Sequence, residues 1–169
     1  MHALKNHFYD KYCQIVMKGY GFGVWLVYDQ SLLGTQHLGH FTVACFMAKD
    51  DATRMYQEIL GLTQNKKITI HLESQSQLYA KNMYAKDEND ICSWGYNGTC
   101  STWLQLKRVC EKYECNFSET IHTSIQYAVD AALLKPVDLC GFNNGVTAVD
   151  CTVHVVNICG DNPMNWHVI

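Results

Sequence analysis

Apolar residues recur at helical spacing at Phe8, Tyr12, Ile15 and Val16, and Gly19 and Gly21 end that stretch. The run Val24-Trp25-Leu26-Val27-Tyr28 is short, β-branched and aromatic, which predicts a strand closed by Asp29-Gln30 and a loop through Gly34 to Gly39. A second strand is predicted from His40 to Met47. Asp50 and Asp51 suit the N-cap of a following helix whose Met55, Ile59 and Leu62 share one face. Residues 66–72 alternate as a half-buried strand does. Periodicity is then lost over about 81–99, where 86–90 is a charged turn and Asn97-Gly98 a strong turn signal, so the chain is expected to cross between two lobes near 81–100. Ser101 or Thr102 can cap a second helix that carries Trp103, Leu106, Val109, Cys110 and Tyr113 along one stripe. A strand at 121–129, a break at Pro136 and an alternating strand at 148–159, with Val149, Cys151, Val153 and Val155 on one face, complete the pattern. Elements in this order predict an α+β fold with a trace of internal duplication, in one domain covering 1–169.

The duplication is sharpest in two tetrapeptides, His40-Phe41-Thr42-Val43 and His122-Thr123-Ser124-Ile125, which repeat histidine, any residue, hydroxyl residue, aliphatic residue 82 positions apart. Alternate side chains of a strand point to opposite faces, so His40 and Thr42 project together, as do His122 and Ser124. Two such strands side by side place paired imidazoles and paired hydroxyls on one surface, which is equipment for acid/base chemistry on an anionic group.

Composition narrows the ligand. Thirteen Lys and Arg against 16 Asp and Glu leave a net charge of −3 in 169 residues, without the electrostatic footprint for duplex DNA; a short nucleic acid stays open. The nine cysteines are odd in number and several sit in apolar stretches as small hydrophobes. The N-terminal residues mix charge and aromatics rather than forming a signal-peptide core, so a reducing cytoplasm is expected, with the Asn97-Gly98-Thr99 and Asn116-Phe117-Ser118 triplets as chance sequons. No apolar run approaches the ~18 residues of a membrane span. Cys92, Cys100, Cys110 and Cys115 with His122 lack the knuckle spacing of structural zinc sites, Gly39 and the following strand speak against a helical metal pair at His37 and His40, and no metal or other cofactor is expected. The glycine-rich segment 19–23 precedes a strand rather than a helix, so it is not read as a phosphate loop. The chain is expected to be a monomer.

The two motifs, their spacing and the order of elements from about Val24 to Cys159 resemble the 2H phosphoesterases, named for two His-x-Thr/Ser-x motifs roughly eighty residues apart. The resemblance implies a bilobed fold, with two antiparallel sheets related by a pseudo-twofold axis around a central cleft and helices outside. It also implies His40 and His122 as the catalytic histidines and Thr42 and Ser124 as the phosphate-binding hydroxyls. Thr123 departs from the apolar residue usual at its position. Within the family the chain looks most like the viral branch found in rotaviruses, betacoronaviruses and toroviruses. That likeness implies metal-independent cleavage of 2′,5′-oligoadenylate and so blunted activation of the antiviral nuclease RNase L. Action on 2′,3′-cyclic phosphates or 2′,5′-linked RNA ends is the alternative within the family, and a non-catalytic RNA- or protein-binding module is the alternative outside it.

Recognition of a base calls for an aromatic face near the cleft, for which Tyr28, Trp25, Tyr127 and Trp166 are candidates. Lys66 and Lys67 are candidates for a flanking phosphate. The enzymatic reading requires that both histidines reach one phosphate.

Overall fold

The computed structural model describes residues 21–35, 37–79, 92–128, 146–159 and 165–169. The expected helix around 8–17 and the break at Pro136 lie outside them. The described residues form a mixed α+β fold, mostly antiparallel sheet with two α-helices. The strands are β1 (Phe22–Val27), β2 (His40–Met47), β3 (Ile68–Tyr79), β4 (Cys92–Thr99), β5 (Asn116–Phe117), β6 (His122–Ala128), β7 (Ala148–Asn157) and β8 (His167–Val168). Their order across the sheet is β5-β2-β1-β7-β3-β4-β6, with β8 beside β7, and every pairing is antiparallel. Strand β7 joins the two halves, since its first residues pair with β3 (Ile68↔Cys151) and the rest with β1 (Val27↔Thr152 to Phe22↔Asn157).

Helix α1 (Lys49–Thr63) packs on β7 and β1, and α2 (Trp103–Cys110) packs on α1 and β2. Ala52, Met55 and Ile59 are the buried stripe of α1, and Leu106, Val109 and Cys110 that of α2. Both stripes meet the alternating inward residues of β1, β2 and β7 in one continuous core, each fully buried aliphatic side chain contributing roughly 1.5–3 kcal/mol. Among the described residues no helix is long and apolar enough to cross a membrane.

Several expectations are corrected. Leu62 is 42 % exposed, because the buried face of α1 ends at Ile59 before the left-handed residue Gln64 stops the helix. The N-cap of α1 is Ala48; Asp50 and Asp51 sit in its first turn, where a negative charge favours the helix dipole. Strand β3 runs on to Tyr79, seven residues past Leu72. Asn97-Gly98 makes no turn but lies inside β4, a strand that lost periodicity had hidden. Strands β3 and β4 are neighbours; the chain changes halves between β2 and β3 across α1, between β4 and β5 across α2, and again between β5 and β6.

Strands β2 and β6 lie five places apart in the sheet order, yet they face each other. Two buried hydrogen bonds tie the connection between β1 and β2 to β6. The Tyr28 and Thr123 hydroxyls share one at 2.7 Å, and His37 Nε2–H donates to the Ser124 carbonyl at 3.0 Å. The first accounts for the polar residue at position 123, which is 1 % exposed and satisfied from across the fold. Tyr28→Phe is expected to lower stability by about 1–3 kcal/mol, because it strands the buried Thr123 hydroxyl. Adding Thr123→Val should return most of that loss, read as the urea midpoint at unchanged slope.

Candidate active site

The first motif is positioned by β1. Trp25 pairs with Thr42, Leu26 with Phe41 and Val27 with His40. This register sends Leu26 and Phe41 into the core and leaves Trp25, His40 and Thr42 on the opposite face. The next pair is Val24 with Ala44, so Val43 is an extra residue in β2, a β-bulge. The bulge shifts the alternation by one, and Cys45 rather than Ala44 returns to the face of His40 and Thr42.

The second motif repeats this arrangement. On β4, Asn97 pairs with His122, Tyr96 with Thr123 and Gly95 with Ser124, and the next pair is Trp94 with Gln126. Ile125 is therefore the extra residue, at the same fourth position of its tetrapeptide as Val43. Beyond it Tyr127 returns to the face of His122 and Ser124. Gly95 permits the close approach that this register needs, since a Cβ there would lie 1.9 Å from the Thr123 carbonyl oxygen.

The two faces line one cleft of about 860 Å³, which brings together His40, Thr42, His122 and Ser124. Tyr127 and Trp166 line it too. The other two aromatic candidates do not offer a face to a base. Tyr28 is 4 % exposed, with its hydroxyl spent on Thr123. Trp25 is 2 % exposed and lies flat against the His40 ring (centroids 3.6 Å apart, planes 8° apart), while Trp166 meets it edge-on at 5.5 Å. Trp25 thus holds the His40 imidazole in place. Neither Lys66 nor Lys67 lines the cleft, and its one lysine among the described lining residues is Lys107 of α2.

Three contributors escaped the sequence reading. Tyr79, past the expected end of β3, packs its ring 4.7 Å from that of His122. Ser93, in the stretch without periodicity, accepts a hydrogen bond from the Ser124 hydroxyl at 3.0 Å. His37, weighed only as a metal partner for His40, is 6 % exposed and packs 4.8 Å from the Tyr127 ring. A tyrosine and a serine on strand faces carry no local signal of a site, and only the pairing of β3, β4 and β6 assembles them.

His40 Nδ1 lies 2.7 Å from the Leu38 carbonyl oxygen. A carbonyl only accepts, so Nδ1 carries the proton and Nε2 is the basic atom. Burial pushes the His40 pKa down to about 3; the Leu38 hydrogen bond opposes the shift, and the nearby charges of His37 and His122 add to it. His122 Nδ1 meets the Thr120 carbonyl at a looser 3.4 Å. Its pKa is also lowered by burial, with the Thr120 contact opposing. His37 is lowered for the same first reason, and burial raises the Tyr127 phenol.

Three side chains of the metal-ligating types nowhere cluster among the described residues, and no disulfide joins the described cysteines. Cys110 and Cys115 sit together on the cleft wall, with the Cys115 thiol 3.6 Å from the Cys110 carbonyl oxygen. Two imidazoles and two hydroxyls lining one cleft are groups that can move protons to and from a bound anion. No protein-family model matches the chain, and no curated protein matches it.

Histidines held neutral in the fold take up protons on unfolding once the pH falls below their ordinary value of 6.5. Stability present above pH 6.5 is therefore lost as the pH falls through the window between that value and the folded ones. His40 alone should account for about 2 kcal/mol between pH 7 and pH 5. The check is the urea midpoint across that range, with a shallower slope in His40→Gln.

Proposed function

We propose that this chain is a 2H-type phosphodiesterase that cleaves 2′,5′-oligoadenylate without a metal and so blunts RNase L activation. The observation that supports this reading best is the joint lining of one cleft by His40, Thr42, His122 and Ser124, from motif strands that carry a bulge at the same position. The repeated bulge also favours the implied two-lobed, pseudo-symmetric architecture, with β7 shared between the lobes.

The unequal burial of the two histidines supports a division of labour. His40, buried against Trp25 with its proton on Nδ1, is the base: Nε2 takes a proton from the attacking hydroxyl or water. His122 is the acid, protonated when the anionic phosphodiester sits beside it, and it delivers its proton to the leaving oxygen. The Thr42 hydroxyl donates to a non-bridging oxygen, and the Ser124 hydroxyl does so by turning from its resting bond to Ser93, so that both hold the phosphate as charge spreads over it. Tyr127 and Trp166 flank the cleft as faces for adenine.

Incubation with 2′,5′- and 3′,5′-linked triadenylate in excess EDTA tests the proposal. Cleavage of the 2′,5′ linkage is expected to persist in chelator and to fall about 10²–10⁴-fold in His40→Ala and in His122→Ala. Loss of activity in EDTA would overturn the mechanism, and equal cleavage of both linkages would overturn the substrate. A 3′-deoxy substrate separates attack by water from attack by the neighbouring hydroxyl.

The pH profile follows from the same assignment. In the free enzyme the competent form has His40 neutral and His122 protonated, so the alkaline limb of kcat/KM should fall below pH 6.5. The alkaline limb of kcat should lie higher, because the bound phosphodiester favours the imidazolium. Steady-state rates from pH 4 to 8 check both limbs.

A further inference from the structure

A second groove, of about 510 Å³, adjoins the cleft and shares Lys107, Phe117, Glu119 and Thr120 with it. These four residues form the ridge between them. Glu119 lies three residues before His122, so their Cα atoms are at most ~10 Å apart, a span that one nucleotide can bridge. On the ridge Lys107 Nζ sits 3.2 Å from a Glu119 carboxylate oxygen and 5.7 Å from the centre of the Phe117 ring. The Glu119 side chain is 75 % exposed, so the ion pair is weak and a phosphate can replace the carboxylate.

Beyond the ridge the wall is aromatic and polar. The Trp103 and Phe117 rings lie 5.3 Å apart with planes at 44°, and Asn97 and Thr99 also line the groove. Glu73 is the further charged group there. With Lys107 as its one cation against two carboxylates, the groove suits a neutral base and a ribose, and the ridge suits a single phosphate. Resting on the phosphodiesterase reading, we propose that the groove is a second nucleoside subsite and that Lys107 binds a second phosphate of the substrate. The substrate is then an oligonucleotide with at least two phosphates, in preference to a small cyclic phosphate.

That second phosphate is either the next internucleotide linkage or a terminal phosphate, and the substrates distinguish them. The probes are 2′,5′-linked diadenylate without a terminal phosphate, the same dimer with a 5′-phosphate, and 2′,5′-linked triadenylate without one. A second phosphate from either source should raise kcat/KM about tenfold, mainly through KM, as one charge-assisted contact does. If Lys107 reads only the linkage, the trimer alone gains. In Lys107→Met the ratio of two-phosphate to one-phosphate substrate should fall close to one, and Lys107→Arg should restore it. Equal kcat/KM for all three probes, or a Lys107→Met variant that keeps the tenfold ratio, would overturn the proposal.

Absence of cleavage of every probe would overturn the phosphodiesterase reading instead. In that event, equilibrium binding of the three oligomers to the wild-type protein decides the subsite. Tighter binding of the two-phosphate probes, lost in Lys107→Met, supports it; binding independent of the second phosphate overturns it.

Discussion

Two buried hydrogen bonds, Tyr28 to Thr123 and His37 to the Ser124 carbonyl, close the fold on itself. They join segments that the strand order sets far apart, and the continuous core that includes Phe41, Val43, Tyr96 and Ile125 packs around them. Both bonds start from residues of the β1–β2 connection and end on the second motif. That loop is pinned where Tyr28 N–H donates to the Gly39 carbonyl at 3.0 Å. Their burial gives them weight, because a hydroxyl or carbonyl left unmatched in that interior costs more than the hydrogen bond itself contributes. The same residues that join the halves thus set the spacing of the two motifs.

The repeated bulge is the second organising device. A strand without it would place every second residue toward the cleft, and the residue five positions after each histidine would face the core. With it, each motif strand offers its histidine, its hydroxyl residue and a further side chain five positions on: Cys45 in the first, Tyr127 in the second. The two halves diverge in what supports the imidazole. His40 is stacked face-on by Trp25 and hydrogen-bonded tightly to Leu38, whereas His122 has a tilted Tyr79 ring and a looser contact to Thr120. Unequal burial of two like groups separates their proton affinities.

Much of this was legible in the residue pattern. The β1 and β7 strands and both buried helix stripes follow from period 2 and period 3.6, because each element buries one face against a common core. The β2 strand starts and ends where the pattern places it. Strand β4 was not legible: Gly95 and Gly98 read locally as turn residues, yet they serve close packing, where a Cβ would strike Thr123 or Ile70. The aromatic residues show the same limit. Trp25, Tyr28, Tyr127 and Trp166 look alike in the sequence; Trp25 is covered by the His40 ring, Tyr28 is buried in the core, and the other two line the cleft.

What the sequence by itself determined was the pair of motifs and their strand context, since alternation dictates which side chains share a face whatever lies around them. Only the tertiary structure decided that the two faces meet, that Thr123 is satisfied by Tyr28, and that Tyr79, Ser93, His37 and Lys107 join the cleft or brace it. Those contacts link residues far apart in the chain, and their strength depends on burial and register, neither of which a local pattern encodes.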